Sequence, residues 1–128
     1  MIKLLLVEDD SELRFIFERI LNLKGYYVTE TAANGEEAIK KFNAMNPKPD
    51  FILMDYNMPG KDGIQAMQEI LKIEKSAKII IMSANPLIKE KVMSSGAILF
   101  SEKQFPIERM IHDIKQRIND SNLCRACC

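Results

Sequence analysis

Short apolar runs alternate with amphipathic segments along the whole chain. The runs are aliphatic and often β-branched, too short to be helices, and bounded by charged or turn residues, which is typical of strands. Three of them, LLLV, FILM and IIIM, are apolar without alternation. Such runs predict strands covered by helices on both faces, and therefore a parallel sheet. The five predicted strands are Ile2 to Val7, Tyr26 to Glu30, Phe51 to Met54, Lys78 to Met82 and Ala97 to Ser101.

The segments between the runs repeat their apolar residues with a period near 3.6, which indicates helices with one buried face. Those residues are Leu13, Phe17, Ile20 and Leu21, then Ala38, Ile39 and Phe42, then Ile64, Met67, Ile70 and Leu71, then Ile88, Val92 and Met93, and last Ile107, Met110, Ile111, Ile114 and Ile118. Asn34 and Asp62 stand where helix caps are expected, and Pro106 suits a first helical turn. We therefore predict an α/β fold: a three-layer, doubly wound (βα)₅ unit with a five-stranded parallel sheet, of the flavodoxin-like class.

The chain length of 128 residues fits one domain, which we place at residues 1–120, followed by a flexible cysteine-containing tail at 121–128. Lysine plus arginine equal aspartate plus glutamate at 18 each, so direct nucleic-acid binding is not expected. No apolar run approaches the roughly 20 residues of a membrane helix. The first apolar block also lacks the cleavage site of a signal peptide. A cytoplasmic location is the resulting expectation.

All three cysteines, Cys124, Cys127 and Cys128, crowd the last five residues, so the body of the domain has no internal disulfide. A reducing compartment suits this distribution. A structural zinc site usually needs four ligands, and the single histidine, His112, is distant in sequence from the tail. A solvent-exposed tail is therefore favoured over a zinc site, and we assign His112 no function.

Polar residues follow four of the predicted strands at their carboxyl ends. Glu8 and Asp9 follow the first strand, Asp55 the third, and Ser83-Ala84 the fourth, while Lys103 closely follows the fifth. In a doubly wound sheet these ends meet at one edge, and strands one and three flank the point where ligands bind. Glu8, Asp9 and Asp55 are therefore expected close together. Asp10 fits an ordinary helix cap.

Carboxylates that lie this close need a cation, and a few hard oxygen ligands suit Mg²⁺, which also binds phosphate oxygens. Lys103 can neutralise one phosphoryl oxygen and Ser83 can donate a hydroxyl to another, while the small Ala84 leaves room for the group. Asp55 is then the candidate nucleophile that accepts a phosphoryl group.

These residues resemble the response-regulator receiver domain of two-component signalling, the CheY-like fold, over essentially residues 1 to 118. The resemblance rests on four motifs in the same order and spacing, namely LLLVEDD, FILMDYNMPGKDG, IIIMSA and GAILFSEK. It implies that Asp55 is the phosphoacceptor in a Mg²⁺-dependent phosphorelay. The protein would then be a signalling receiver that catalyses only its own phosphorylation and dephosphorylation.

The resemblance also implies a role for each residue of the candidate site. The metal ligands would be Glu8, Asp9, Asp55 and the backbone carbonyl of Asn57; the phosphoryl group would contact Ala84 and Lys103; and Ser83 and Phe100 would form the switch. Gln104 stands after Lys103, where the family usually has proline, and Phe100 lacks the hydroxyl of the tyrosine often found there.

The implied phosphodonor is a sensor histidine kinase or a histidine phosphotransfer protein, and an unidentified output partner would bind the face formed by the fourth helix, fifth strand and fifth helix. Two alternatives remain. A haloacid-dehalogenase-like phosphohydrolase would need an acid two residues after the nucleophile, where this chain has Asn57. A receiver-shaped module that takes no phosphate would usually lack an acid or the lysine.

Overall fold

Strands and helices alternate along the chain in the computed structural model, which describes the backbone of residues 1–127 and the side chains of residues 1–120. The elements are β1 (Lys3–Val7), α1 (Ser11–Leu23), β2 (Tyr27–Ala32), α2 (Gly35–Ala44), β3 (Phe51–Asp55), α3 (Gly63–Ile73), β4 (Ile79–Ser83), a 3₁₀ turn (Pro86–Ile88), α4 (Lys89–Ser94), β5 (Leu99–Glu102) and α5 (Ile107–Cys127). The predicted order of five strands and five helices is confirmed.

All neighbouring strands are parallel, and their order in the sheet is β2-β1-β3-β4-β5. The chain therefore reverses its winding between β1 and β3, which lie side by side, as predicted for a doubly wound fold. β5 starts at Leu99 instead of the predicted Ala97. The N–H of Ala97 donates to the carbonyl of Val92. Gly96 just before it has a φ of 122°, so these two residues belong to the turn after α4 and not to a strand.

The sheet separates two apolar clusters, one on each face. Leu5 and Val7 of β1 face the cluster beneath α2, α3 and α4, whereas Leu4 and Leu6 face the cluster beneath α1 and α5. One expected core residue of α4 differs: Met93 is 39 % exposed beside the fully buried Val92. α4 has six residues, so its buried face is too narrow to include Met93.

Side-chain caps begin three of the helices at the carboxyl edge of the sheet. Asp10 accepts hydrogen bonds from two N–H groups of the first turn of α1. Asn34 caps α2 in the same way, and Asp62 forms a reciprocal capping box with Gln65 at α3. These caps satisfy N–H groups that a helix leaves free, and they fix where each helix starts relative to the strand before it.

Both edges of the sheet are covered by side chains that bond to the backbone. On β2, Lys41 Nζ donates to the carbonyl of Thr31 at 2.6 Å, and the N–H of Val28 donates to Asn22 Oδ1 at 3.2 Å. On β5, Arg117 Nη1 donates to the carbonyl of Phe100 at 2.9 Å. Each edge strand thus has at least one backbone group bonded by a side chain of a neighbouring helix.

α5 is the longest helix, and its backbone runs to Cys127. The side chains of the predicted tail, residues 121–128, lie outside the described residues, so the predictions for the three cysteines stay predictions. Among the residues described, no helix combines the length and apolarity needed to cross a membrane. Two X-Pro peptide bonds are cis, Asn46-Pro47 and Phe105-Pro106, and neither follows Lys103 directly.

Candidate phosphoryl and metal site

Lys103 lies between two buried carboxylates at the carboxyl edge of the sheet. Its Nζ is 2.8 Å from Glu8 Oε1 and 3.2 Å from Asp55 Oδ1. Glu8 and Asp55 are 1 % and 4 % exposed, so both charges are almost fully removed from water. Residues at the carboxyl ends of the first, third and fifth strands thus lie in contact with one another, as the sequence predicts.

Glu8, Asp9 and Asp55 each offer a carboxylate oxygen, and these oxygens lie within 4.8 Å of one another. Asp9 is exposed, whereas the other two carboxylates are buried. Three hard oxygen donors with one side open to solvent fit Mg²⁺, which keeps several water ligands. The donor set therefore suits this ion chemically.

Burial raises the pKa of Asp55, and the nearby charge of Asp9 raises it further, although Lys103 and the Asn57 backbone N–H oppose this shift. Burial likewise raises the pKa of Glu8, against the hydrogen bond from Lys103. Burial acts to lower the pKa of Lys103, but its contacts with Glu8 and Asp55 outweigh burial and raise it. The site therefore holds one firmly charged cation and two carboxylates that are costly to ionise.

Ser83 ends β4 with its side chain buried. Its Oγ accepts a hydrogen bond from the N–H of Asn85 at 3.0 Å, and its carbonyl accepts one from the N–H of Lys103 at 2.8 Å. Because the Oγ acts as an acceptor, its own proton stays available for another partner. Ala84 follows with an exposed position and no bulk beyond its methyl group.

Phe100 is 4 % exposed and packs in the cluster beneath α2, α3 and α4. Its aromatic ring is therefore directed inward. A cleft of about 330 Å³ borders this residue and reaches Met110, Asp113 and Arg117 of α5. The resemblance implied that Phe100 takes part in the switch, but it did not imply which position the ring occupies.

Asn57 lies two residues after Asp55, and its backbone N–H interacts with the carboxylate of Asp55. The role predicted for its carbonyl stays a prediction. His112 is exposed on α5, with its ring 3.4 Å from the amide of Gln116.

Two cations near the site were not singled out from the sequence. Arg14 Nη1 donates to the carbonyl of Glu8 at 2.8 Å and so fixes the end of β1. Lys61, in the loop after Asp55, contacts two glutamates on different helices. The spacing of Arg14 from the Asp10 cap could have suggested the first contact, whereas the contacts of Lys61 depend on how α2 and α3 pack.

The family model described as the response regulator receiver domain matches residues 4–115. The chain therefore belongs to the response-regulator receiver family. Among its relatives, the chemotaxis protein CheY of Treponema pallidum is 36 % identical over 109 residues, which is 84 % of this chain and 74 % of the relative. CheY of Thermotoga maritima is 34 % identical over 116 residues, covering 89 % and 95 % of the two chains. The chain is thus a CheY-like receiver of two-component systems.

Solved structures agree with this assignment. CheY in a CheX-CheY-BeF3-Mg complex from Borrelia burgdorferi is 26 % identical with a TM-score of 0.82, over 91 % of this chain and 89 % of that one. The response regulator TrrA of Thermotoga maritima, in complex with Mg(2+)-BeF, is 33 % identical with a TM-score of 0.79, over 91 % and 98 %. The flavodoxin-like fold predicted from the sequence is therefore confirmed.

Proposed function

We propose that the protein is a phosphorylation switch in which Asp55 accepts a phosphoryl group, in a Mg²⁺-dependent reaction, from a phosphohistidine. The observation that carries the proposal is the approach of Lys103 to both Glu8 and Asp55, with Asp9 beside them. This is a nucleophile flanked by one cation and by the ligands for a second. The donor is a sensor histidine kinase or a histidine phosphotransfer protein.

In the proposed reaction, a carboxylate oxygen of Asp55 forms a bond to phosphorus while the bond between phosphorus and the donor imidazole nitrogen breaks. The electron pair of that bond stays on the imidazole, which takes up a proton. Lys103 compensates the charge on the transferred oxygens, since its ammonium group already contacts the carboxylate at 3.2 Å. Dephosphorylation transfers the same group to water.

Glu8, Asp9, Asp55 and the Asn57 carbonyl would hold the Mg²⁺ ion. When bound, it supplies positive charge that screens the carboxylates from an incoming anionic donor and from the phosphoryl oxygens. Support comes from the fit of three oxygen donors within 4.8 Å and from relatives that carry Mg²⁺ with beryllofluoride. Burial raises the pKa values of Glu8 and Asp55, and a bound cation would oppose that rise.

The output of the switch is a change on the face formed by α4, β5 and α5. Ser83 keeps its hydroxyl proton free because its Oγ accepts from the Asn85 N–H, so it can donate to a phosphoryl oxygen on Asp55. That hydrogen bond would stabilise the inward position of Phe100, next to the cleft that borders α5. An output partner binds this face more tightly when Asp55 carries the phosphoryl group. The expected cytoplasmic location stays a prediction.

The test is labelling by a small phosphodonor, acetyl phosphate, in Mg²⁺. Asp55→Asn should abolish labelling, because the amide cannot attack phosphorus. Asp50→Asn is the matched control. Asp50 precedes β3 at the amino end of the sheet, where its Oδ2 accepts a hydrogen bond from the Lys3 N–H. Intact-mass measurement detects one added phosphoryl group. Labelling that persists in Asp55→Asn, or that needs no divalent ion, would contradict the proposal.

A further inference from the structure

Lys61 joins the loop after Asp55 to two helices. Its Nζ lies 3.2 Å from Glu36 Oε1, at the start of α2, and 2.5 Å from Glu69 Oε2, in the middle of α3. The lysine side chain is 31 % exposed, whereas Glu36 is 75 % and Glu69 41 % exposed, so water screens both pairs and most strongly the pair with Glu36. One side chain of the loop thus bridges both helices that flank it.

The loop itself, residues 57–62, is held by Met58, which is buried in the cluster beneath α2, α3 and α4, and by contacts at its two ends. It begins at Asn57, which interacts with the Asp55 carboxylate, and passes through Gly60 at a φ of 79°. At its end, the Asp62 side chain caps α3, and the N–H of Gly63 donates to the carbonyl of Tyr56 at 2.9 Å. Between these two ends, Lys61 supplies the side-chain ion pairs that hold the loop against the helices.

Gly35, the first residue of α2, allows the loop to approach this closely. A Cβ at this position would be 3.1 Å from Lys61 Cβ and 3.3 Å from the Lys61 carbonyl oxygen. The backbone of the loop therefore packs directly against the start of α2. The ion pair to Glu36 acts at the same contact and holds the two segments together.

We propose that Lys61 is a positioning residue for the metal site, because its bridge from Glu36 to Glu69 restrains the loop that begins at Asn57. This inference rests on the proposed function, which places the Asn57 carbonyl among the metal ligands. A loop that is held in place before the ion arrives loses less conformational freedom on binding, so the metal binds more tightly.

Lys41 provides a matched control within the same domain. Its Nζ also contacts two glutamates, Glu30 at 3.4 Å and Glu37 at 3.1 Å, and its side chain is 35 % exposed. The Glu30 contact joins α2 to β2, the Glu37 contact lies within α2, and Lys41 Nζ also donates to the Thr31 carbonyl. Lys61→Met and Lys41→Met therefore each remove two ion pairs, but only the first removes contacts of the loop after Asp55.

The experiment measures binding of Mn²⁺, a paramagnetic substitute for Mg²⁺, by the loss of its free electron paramagnetic resonance signal. Hydrogen exchange at residues 57–62 is followed in the metal-free proteins. Lys61→Met should weaken Mn²⁺ binding about threefold, a modest change because partly exposed ion pairs are weak. It should also speed exchange in the loop. Lys61→Arg should restore both, whereas Lys41→Met should change neither.

Equal Mn²⁺ affinities in Lys61→Met and Lys41→Met, or loop exchange that Lys61→Met leaves unchanged, would overturn the inference. A purely structural role of Lys61 would instead lower the free energy of unfolding in Lys61→Met while leaving Mn²⁺ affinity and loop exchange unchanged. Acetyl phosphate labelling of the unsubstituted protein tests the proposed function separately. If labelling fails while Lys61→Met still binds Mn²⁺ more weakly than Lys41→Met, the proposed function is overturned and the positioning role of Lys61 remains.

Discussion

The two ends of the sheet use charge in opposite ways. At the carboxyl end, Glu8 and Asp55 are buried side by side with one lysine between them. At the amino end, lysines bond to helix carbonyls: Lys48 Nζ donates to Phe42 O at 2.6 Å, and Lys115 Nζ donates to Lys24 O at 2.8 Å. Cations at helix C-termini are stabilising, whereas buried like charges are not.

This difference indicates where the domain gives up stability for function. At the amino end, Lys48 and Lys115 lie where the helix dipole favours a cation, so these two lysines stabilise the fold. The carboxyl end raises the pKa values of Glu8 and Asp55 by burial, and an added cation or phosphoryl group can lower that cost. Matched substitutions at the two ends should therefore have different sizes, and in some cases opposite signs.

The largest effect is expected for Lys103→Met. Removing this cation leaves Glu8 and Asp55 buried without a compensating positive charge, and we expect the free energy of unfolding to fall by about 3 kcal/mol at neutral pH without metal. Urea denaturation followed by circular dichroism measures this change. The loss should shrink in acid, where both carboxylates become protonated.

Lys48→Met is the control at the amino end, because it removes a lysine that bonds to two helix carbonyls and lies over the ring of Phe42. It should cost about 1 kcal/mol, with little dependence on pH between the carboxylate and lysine titrations. Equal losses in the two variants would contradict the contrast between the ends.

Gly63→Ala should cause the next largest loss in the free energy of unfolding. A Cβ at Gly63 would stand 2.7 Å from the Asp55 carbonyl oxygen and 2.9 Å from Tyr56 Cα, so α3 has to move away from β3. We expect a loss of about 2 kcal/mol. Gly25→Ala, at the amino end, meets nothing within 4 Å and has only its φ of 95° against it, so it should cost about 1 kcal/mol. Thermal unfolding of both variants compares the two costs.

Asp55→Asn should stabilise the metal-free protein by about 1 kcal/mol at neutral pH, since functional sites commonly sacrifice stability on this scale. The pKa of Asp55 is raised in the folded state, so the folded protein binds more protons than the unfolded chain between the two pKa values. Wild-type stability therefore falls as pH rises through that window, and the gain from Asn appears there.

Unfolding of the wild type and of Asp55→Asn at a series of pH values measures the gain in the free energy of unfolding. It should be near zero below the unfolded pKa of aspartate, about 3.9, and complete at neutral pH. Added Mg²⁺ should stabilise wild type and reverse the order. A gain that is already present in strong acid would show that packing, and not charge, is its cause.

The smallest effect concerns the amino end. Among the side chains that the structure describes, the hydroxyl of Tyr26 is the one buried polar atom without a hydrogen-bond partner. Tyr26→Phe removes this unsatisfied group and should raise the free energy of unfolding by about 0.5 kcal/mol. Ser83→Ala, at the other end, removes a hydroxyl that does accept a bond and should not stabilise. Chemical denaturation of both variants decides the comparison.

The layers of the fold were predictable because its strands are apolar on both faces and its helices are apolar on one. The blocks FILM and IIIM have no polar position that a solvent-facing strand would show, and β3 and β4 are buried at every residue. The boundaries were less predictable. β3 and β4 extend one residue further, to the polar Asp55 and Ser83, because sheet pairing continues past the apolar run.

The members of the candidate site were predictable because parallel strands end at a common edge, which brings residues 8, 9, 55 and 103 together. The contacts that these residues make with one another were not predictable. The closer contact of Lys103 with Glu8 than with Asp55 depends on rotamers and packing across several strands. The inward ring of Phe100 and the helix-bridging contacts of Lys61 likewise depend on tertiary packing that no local pattern encodes.

The covered edges of the sheet have a consequence for self-association. An open edge strand is a template on which another chain can add a strand, and stacked strands of this kind lead to fibrils. Lys41 donates a hydrogen bond to the Thr31 carbonyl on β2, and Arg117 donates one to the Phe100 carbonyl on β5. A further strand would have to displace a charged side chain at either edge. Strand addition at either edge is therefore disfavoured, although the domain exposes apolar side chains such as Phe15 and Leu87.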